Sequence, residues 1–321
     1  MAQSTKQQGK RKRTKRKKAS VPPVVVVLGI LVALMASLFL LCLLFFIPRS
    51  TRTPDASSAV TPILSFGSLT KKKEKAKSKP KTGEEPEAEI IEDDSMPPSE
   101  LAVECFGTEN GYKTYHSETI SADLGVDVSS YQGWIDWETV AASGVDYAIL
   151  RAGYRGYTHG DTKTDDYFPY NLEAATAAGL DVGVYYFSQA LTEEEAVAEA
   201  QEVLALVEGY ELSYPIYFDW ETVEDSNART DTISSTELTA CARAFCETIE
   251  NAGYQAGVYF NLSTAFQLYH LDDLLDYEFW LAEYRDTPTY PFKIHMWQYT
   301  DAGKVPGINA NVDLNLSFRE N

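Results

Sequence analysis

From residue 124 onward, short apolar runs alternate with stretches whose apolar positions recur every three to four residues. That is the pattern of strands separated by amphipathic helices in a parallel α/β fold. Eight strands are predicted, at 124–128, 147–151, 182–187, 216–220, 256–260, 279–284, 294–299 and 308–314. Between the third and fourth, Thr192 and Glu195 form a capping box ahead of a stripe of Ala196, Ala200, Val203, Leu204 and Val207, closed by Gly209. Between the fourth and fifth, Ser234 and Glu237 repeat the device ahead of Leu238, Cys241, Ala242, Phe245 and Ile249, with a stop at Gly253. After the sixth and seventh strands only about eight residues intervene, too few for a crossover helix. The prediction is an irregular eight-stranded parallel β/α barrel, TIM-like, with an incomplete helix ring.

The first 120 residues read differently. Residues 24–47 are 24 consecutive residues without a charge, preceded by a basic tail over 1–23. At 1.5 Å per residue this run spans about 36 Å, enough to cross a hydrocarbon core of about 30 Å. A cleaved signal peptide is the competing reading, but the run is long for an h-region and no small-residue cleavage site clearly follows it. The expectation is a retained single-pass transmembrane helix with a cytoplasmic N-terminus, holding the protein at the cell membrane. Residues 48–120 are rich in Pro, Ser, Thr, Lys and Glu without sustained periodicity, and are expected to form a disordered extracytoplasmic stem. Seven lysines within 71–81 serve either as a contact for anionic lipid or wall polymer, or as solvated linker. The globular part is then 121–321.

Charge narrows the function. Residues 121–321 carry nine basic and 34 acidic residues, a field that repels nucleic acid. The four His, at 116, 159, 270 and 295, lack metal-ligand spacing, so neither a structural zinc nor any other metal or cofactor is expected.

Candidate chemistry concentrates in Tyr-Pro-Ile-Tyr-Phe-Asp-Trp-Glu at 214–221. Strand alternation puts Tyr217, Asp219 and Glu221 on one face, and Ile216, Phe218 and Trp220 on the other. The Cα atoms of the two acids would lie roughly 6.6 to 6.8 Å apart. Two carboxyl groups so close to aromatic surface resist double ionisation, so one keeps its proton while the other carries charge. That pairing equips a site to cleave a glycosidic bond; a solvated strand end or a cation site is the bland alternative. In a β/α barrel the functional residues lie where strands end. Here those ends carry Asp127, Arg151, Asp219 with Glu221, Asn261, Glu283, Gln298 and Asp313.

Eight blocks in order carry a resemblance. They are Gly-Val-Asp-Val-Ser-Ser-Tyr-Gln-Gly from Gly125, Ile-Asp-Trp at Ile135, Ala-Ile-Leu-Arg-Ala-Gly at Ala148, Gly-Val-Tyr-Tyr-Phe-Ser at Gly183, Phe-Asp-Trp-Glu at Phe218, Trp-Leu-Ala-Glu-Tyr at Trp280, Met-Trp-Gln-Tyr at Met296 and Val-Asp-Leu-Asn at Val312. Over about 123–318 the chain resembles glycoside hydrolase family 25, the N-acetylmuramidases or lysozymes of the Chalaropsis type. The resemblance implies a flattened barrel with fewer helices than strands. It implies peptidoglycan as substrate, cut at the β-1,4 bond after N-acetylmuramic acid, and it places the family's catalytic acids on Asp127, Asp219, Glu221 and Asp313. The anchor and stem lie outside it.

On this reading Glu221 is the general acid and Asp219 its charged partner, acting either as nucleophile or by orienting the substrate's own 2-acetamido oxygen. The resemblance implies overall retention, substrate assistance is the favoured route, and Asp127 and Asp313 tune charge and binding. Tyr185, Phe187, Tyr217, Tyr284, Trp297, Gln298, Arg151 and Asn261 are the substrate-binding candidates. Roughly half of the aromatic residues near strand ends, which include Tyr186, Trp280 and Tyr299, are structural by strand alternation. Arg151 either contacts a lactyl or peptide carboxylate or pairs with an acid of the barrel. Cys241 and Cys246 are too far apart on one helix for a disulfide, leaving Cys105 as a candidate interchain link. Two rival functions stand beside this one, a catalytically silent peptidoglycan-binding scaffold and a chitinase-like glycosidase.

Overall fold

The computed structural model describes residues 95–321 apart from 224 and 226. The basic tail, the span 24–47 with Cys42, and residues 48–94 of the stem lie outside the described residues. Among those described, no helix is long and apolar enough to cross a membrane.

Eleven strands occur among the described residues. A hairpin of β1 (Phe106–Glu109) and β2 (Tyr112–Tyr115) forms its own two-stranded sheet beside a barrel. The barrel runs β3 (Ile120–Val128), β4 (Tyr147–Arg155), β6 (Asp181–Ser188), β7 (Ile216–Trp220), β8 (Ala256–Asn261), β9 (Glu278–Ala282), β10 (Met296–Gly303) and β11 (Val312–Glu320), and the pairing of β11 with β3 closes it. The short β5 (Thr162–Thr164) adds antiparallel to β4. Helices α1 (Trp137–Ala142), α2 (Phe168–Ala177), α3 (Glu193–Leu206), α4 (Ser235–Asn251) and α5 (Leu262–Gln267) fill the connections up to β9.

The expectation of an all-parallel barrel requires correction. Seven strands run parallel, but β11 is antiparallel to both β10 and β3, and it spans 312–320 instead of 308–314. Connection length is the reason. A parallel return needs a crossover of a dozen or more residues, whereas 304–311 is short enough only to reverse the chain. Residues 283–295, between the parallel β9 and β10, also contain no helix.

The helix caps follow their sequence signals closely. Ser234 and Glu237 make a reciprocal capping box at α4. At α3, Thr192 caps the Glu195 N–H, but the Glu195 carboxylate accepts from the Leu191 N–H and binds Arg229 instead. The apolar stripes of both helices are buried against the outer faces of the strands, with Phe218 against Phe245 at 5.4 Å. The barrel interior holds a second cluster, Tyr147, Ile149, Tyr217, Tyr259, Trp280, Ala282 and Met296. Its tyrosines fit because glycines face them. A Cβ on Gly125 would stand 2.1 Å from the Tyr147 ring, and one on Gly257 would stand 2.4 Å from Tyr217. This plug closes the barrel beneath its mouth.

The stem boundary also moves. Residues 95–120, expected to be disordered, are folded onto the side of the barrel that has no helices. Lys293 N–H donates to Pro97 O at 2.8 Å and Ser99 N–H to Pro291 O at 2.9 Å. Phe106 sets its ring 4.7 Å from Tyr115, 5.4 Å from Trp297 and 6.2 Å from Phe318. The hairpin turns at Asn110 and Gly111, with φ of 53° and 90°, the Asn-Gly signal of a two-residue hairpin loop. Without a helix over β10, Trp297 and Phe318 would face water, and these aromatics cover them. Cys105 is half-buried beside this hairpin, and Cys241 and Cys246 are buried free thiols.

Candidate active site

The mouth of the barrel holds a cleft of about 230 Å³ into which all four predicted acids open. Asp127 stands near the end of β3 and Asp219 near the end of β7, both inward by alternation, and Glu221 follows one residue beyond β7. Asp313 reaches the same mouth by a route that the sequence did not suggest. It begins the reversed strand β11, directly across from Asp127 in the antiparallel register.

The acids sit in a poorly charged surround. Among the described residues the one cation lining the cleft is Arg151, whose Nε and Nη2 are held by Asp165 at 2.9 and 2.7 Å. Asp165 is an acid of the approach to α2, outside the barrel strands. Asp127 Oδ2 accepts from Gln298 Nε2 and Asn315 Nδ2, both at 2.8 Å. Gln298 Oε1 in turn accepts from the Tyr284 and Tyr259 hydroxyls at 2.9 and 3.2 Å. Burial pushes Asp127 up to about 6, with those two amides holding it down. Burial, then the charge of Asp127, pushes Asp313 up to about 8. Burial and then Asp127 also raise Glu221. Asp219 is raised by burial, then by Glu221 and Asp127, and its Oδ1 is buried without a hydrogen-bond partner among the described residues. Like charges held together in low dielectric cannot all ionise, so this cluster keeps protons at neutral pH.

Glu221 is fixed from behind. The fully buried Gln189 donates from Nε2 to the Glu221 carbonyl at 3.0 Å, and its own Oε1 accepts from the Thr230 hydroxyl at 2.7 Å. Since Glu221 lies past the last ladder bond of β7, this contact sets its backbone.

Of the binding candidates, Tyr185, Phe187, Tyr284, Gln298 and Arg151 line the cleft. Three others do not. Trp297 neighbours the inward Gln298 and so faces out, packing on Phe106 and donating to Glu283 O at 2.8 Å. Tyr217 lies in the plug below the cleft, and Asn261 caps α5 through the Thr264 N–H at 3.0 Å. Glu283 orders the β9–β10 loop by accepting from the Thr289 N–H at 2.7 Å. Residues not singled out for binding also line the cleft, among them Trp280, Tyr259, Tyr131 and Gln132. Tyr131 and Gln132 stand within the Ser-Ser-Tyr-Gln-Gly block just after Asp127, whereas Tyr259 is legible only from its register beside Asp219. Tyr131 and Tyr284 are exposed aromatic faces at the rim. Among the described residues, no group of three or more His, Cys, Asp and Glu side chains is placed to hold a metal ion.

The fold has relatives among known proteins. The autolytic lysozyme of Clostridium acetobutylicum is 30% identical over 192 residues, 59% of this chain and 54% of that protein. The chain thus spans about half the length of this relative. Among solved structures, the modular autolysin LytC of Streptococcus pneumoniae in complex with a synthetic peptidoglycan ligand superposes with a TM-score of 0.57 at 26% identity, over 67% of this chain and 52% of that one. The bacterial lysozyme of Streptomyces coelicolor superposes with a TM-score of 0.51 at 26% identity, over 61% of this chain and 91% of that one. The profile of glycosyl hydrolases family 25 matches residues 126–308, more than half of the sequence and every barrel strand from the end of β3 through β10, and the chain belongs to that family.

Proposed function

We propose that this protein hydrolyses peptidoglycan at the β-1,4 bond between N-acetylmuramic acid and N-acetylglucosamine. The observation that carries the reading is the convergence of Asp127, Asp219, Glu221 and Asp313 on one open cleft that, among the described residues, Arg151 alone lines as a cation. Family membership supports it, and LytC, solved with a synthetic peptidoglycan ligand, points to the substrate class.

Glu221 acts as the general acid: burial and then the neighbouring Asp127 charge favour its protonated form, which delivers a proton to the leaving glycosidic oxygen. Asp219 is its partner. Burial, and an Oδ1 without a hydrogen-bond partner among the described residues, favour protonation of Asp219. A bound 2-acetamido N–H would give that oxygen a donor and stabilise the carboxylate, which in turn aims the acetamido oxygen at the anomeric carbon. This favours substrate assistance with retention. The charge of Asp127 favours the protonated form of Glu221, Asp313 adds a further carboxyl to the same mouth, and the rim tyrosines Tyr131 and Tyr284 offer flat faces to sugar rings.

The charge-free run 24–47 and its basic flank support the further proposal that the N-terminus anchors the enzyme in the cell membrane with the barrel outside. Sedimentation of the full chain with membranes, compared with a chain lacking residues 1–47, tests this. Partition of both into the soluble fraction would remove the anchor.

The catalytic test uses the full chain and its Glu221→Gln variant on isolated peptidoglycan, with mass spectrometry of the products. Reducing-end N-acetylmuramic acid from the first alone is the expected result. Equal release by both would displace Glu221 from its role, and release by neither would favour a binding scaffold. Proton NMR of the first anomeric product separates retention from inversion.

A further inference from the structure

Beside the acidic cleft lies a second cavity of opposite character, larger at about 450 Å³ and sharing Tyr131, Arg151 and Phe187 as its common wall. Its remaining lining includes Tyr154, Tyr157, Arg155 and Lys163. In a globular part with 34 acidic and nine basic residues, three cations around one cavity are a local inversion of charge. The acids that balance the two arginines stand behind them: Asp165 and Glu199 are fully buried and hold Arg151 and Arg155. Lys163 pairs with Asp166 at 2.9 Å, but both side chains are more than half exposed, so this pair is readily exchanged for another partner.

Arg151 is built to present one donor. Its guanidinium is 5.2 Å from the Tyr131 ring centre and 5.3 Å from that of Tyr154. Asp165 and Ser130 occupy Nε and Nη2. Its Nη1 has no hydrogen-bond partner among the described residues. A muramoyl residue in the acidic cleft carries a lactyl ether through which a peptide branches, rich in carboxylates and short aliphatic side chains. Such a branch finds few hydrogen-bond donors among four carboxyl groups, and the cavity lined by three cations opens directly beside them.

Resting on the muramidase reading above, we propose that this second cavity is the subsite for the peptide branch of the substrate. Carboxylates of the branch meet Arg151 Nη1 and Lys163, and its aliphatic carbons lie on Tyr154 and Tyr157. The enzyme is then selective for glycan strands that still carry peptides.

The test has a binding arm and an activity arm, both with the full chain. In the first, calorimetry measures N-acetylmuramoyl pentapeptide and N-acetylmuramic acid against the parent, Lys163→Met and Tyr157→Ala, positions exposed enough to be changed without disturbing the core. Lys163→Met is expected to weaken the muramoyl pentapeptide about fivefold to tenfold, the worth of one charge-assisted contact at a partly solvated site, and to leave N-acetylmuramic acid unchanged. Equal affinity of the parent for the two ligands, or equal losses on both, overturns the proposal; the latter would assign the cavity to a sugar ring. In the second arm the same proteins cleave peptidoglycan before and after an amidase has removed the peptides. The variants are expected to lose kcat/KM only on the peptide-bearing strands. Failure of the parent to cleave either material would overturn the muramidase reading, while the binding arm still decides the subsite.

Discussion

Replacing Asp127 by Asn removes one charge from the centre of the acid cluster while keeping a carbonyl to accept from Gln298 and Asn315. Asp127 and Asp313 are directly opposed in an antiparallel register, so their side chains share a face with Cβ atoms about 5 Å apart. With an effective dielectric near 20, two charges at that separation repel by about 3 kcal/mol, equivalent to about two pH units. Solvent at the half-buried Asp313 trims this to about 1.5. The repulsion accounts for less than half of the rise from 3.8 to about 8, in keeping with burial as the larger cause. Asp127→Asn is therefore expected to lower the Asp313 pKa by about 1.5 to 2. Carbon-13 NMR titration of side-chain carboxyls in the full chain, assigned through Asp313→Asn, measures it directly. The pH profile of kcat/KM supplies a second reading: its alkaline limb should move to lower pH, because Glu221 also loses a negative neighbour. An Asp313 pKa that stays put in Asp127→Asn would refute the reasoning and leave burial as the dominant cause.

Three further outcomes are expected. Asp127, Glu199 and Asp313 all have folded-state pKa values raised above their unfolded ones, to about 6, 7 and 8. The unfolded chain thus releases these protons first, and stability falls as pH rises from about 4 to about 8; Asp313→Asn should raise the Tm at pH 8 and change it little at pH 4, and an equal change at both would count against the linkage. Gln189→Leu removes the donor to the Glu221 carbonyl and strands the Thr230 hydroxyl, so it should cost about 1–3 kcal/mol in a denaturant melt and lower kcat about tenfold to hundredfold with little effect on KM. Phe106→Ala, which opens the aromatic contact between the hairpin and Trp297, should cost about 2 kcal/mol and raise amide exchange across β1 and β2; a barrel of unchanged stability would mean that the hairpin merely rests on it.

Local pattern was enough for much of this molecule. The inward face of Asp219 follows from a side-chain period of two, the ends of α3 and α4 from their capping residues, and the missing helix between β10 and β11 from connection length. Even the hairpin at the end of the stem had its signal in Asn110-Gly111 between aromatic residues, although composition argued for disorder around it. Contacts between residues far apart in the chain were beyond such reasoning. Asp313 reaches the mouth because its strand reverses, Asp127 is held by amides 171 and 188 residues away, and Trp297 turns outward to a hairpin that lies before the family match. The same holds for the raised carboxyl pKa values and for the charge inversion between the two adjoining cavities. Strand periods, caps and turns are written in neighbouring residues, so the elements and the identity of the acids are legible along the chain. Burial and charge at a point sum over everything that barrel closure brings there, so the partners of those acids and the cavity beside them emerge with the fold.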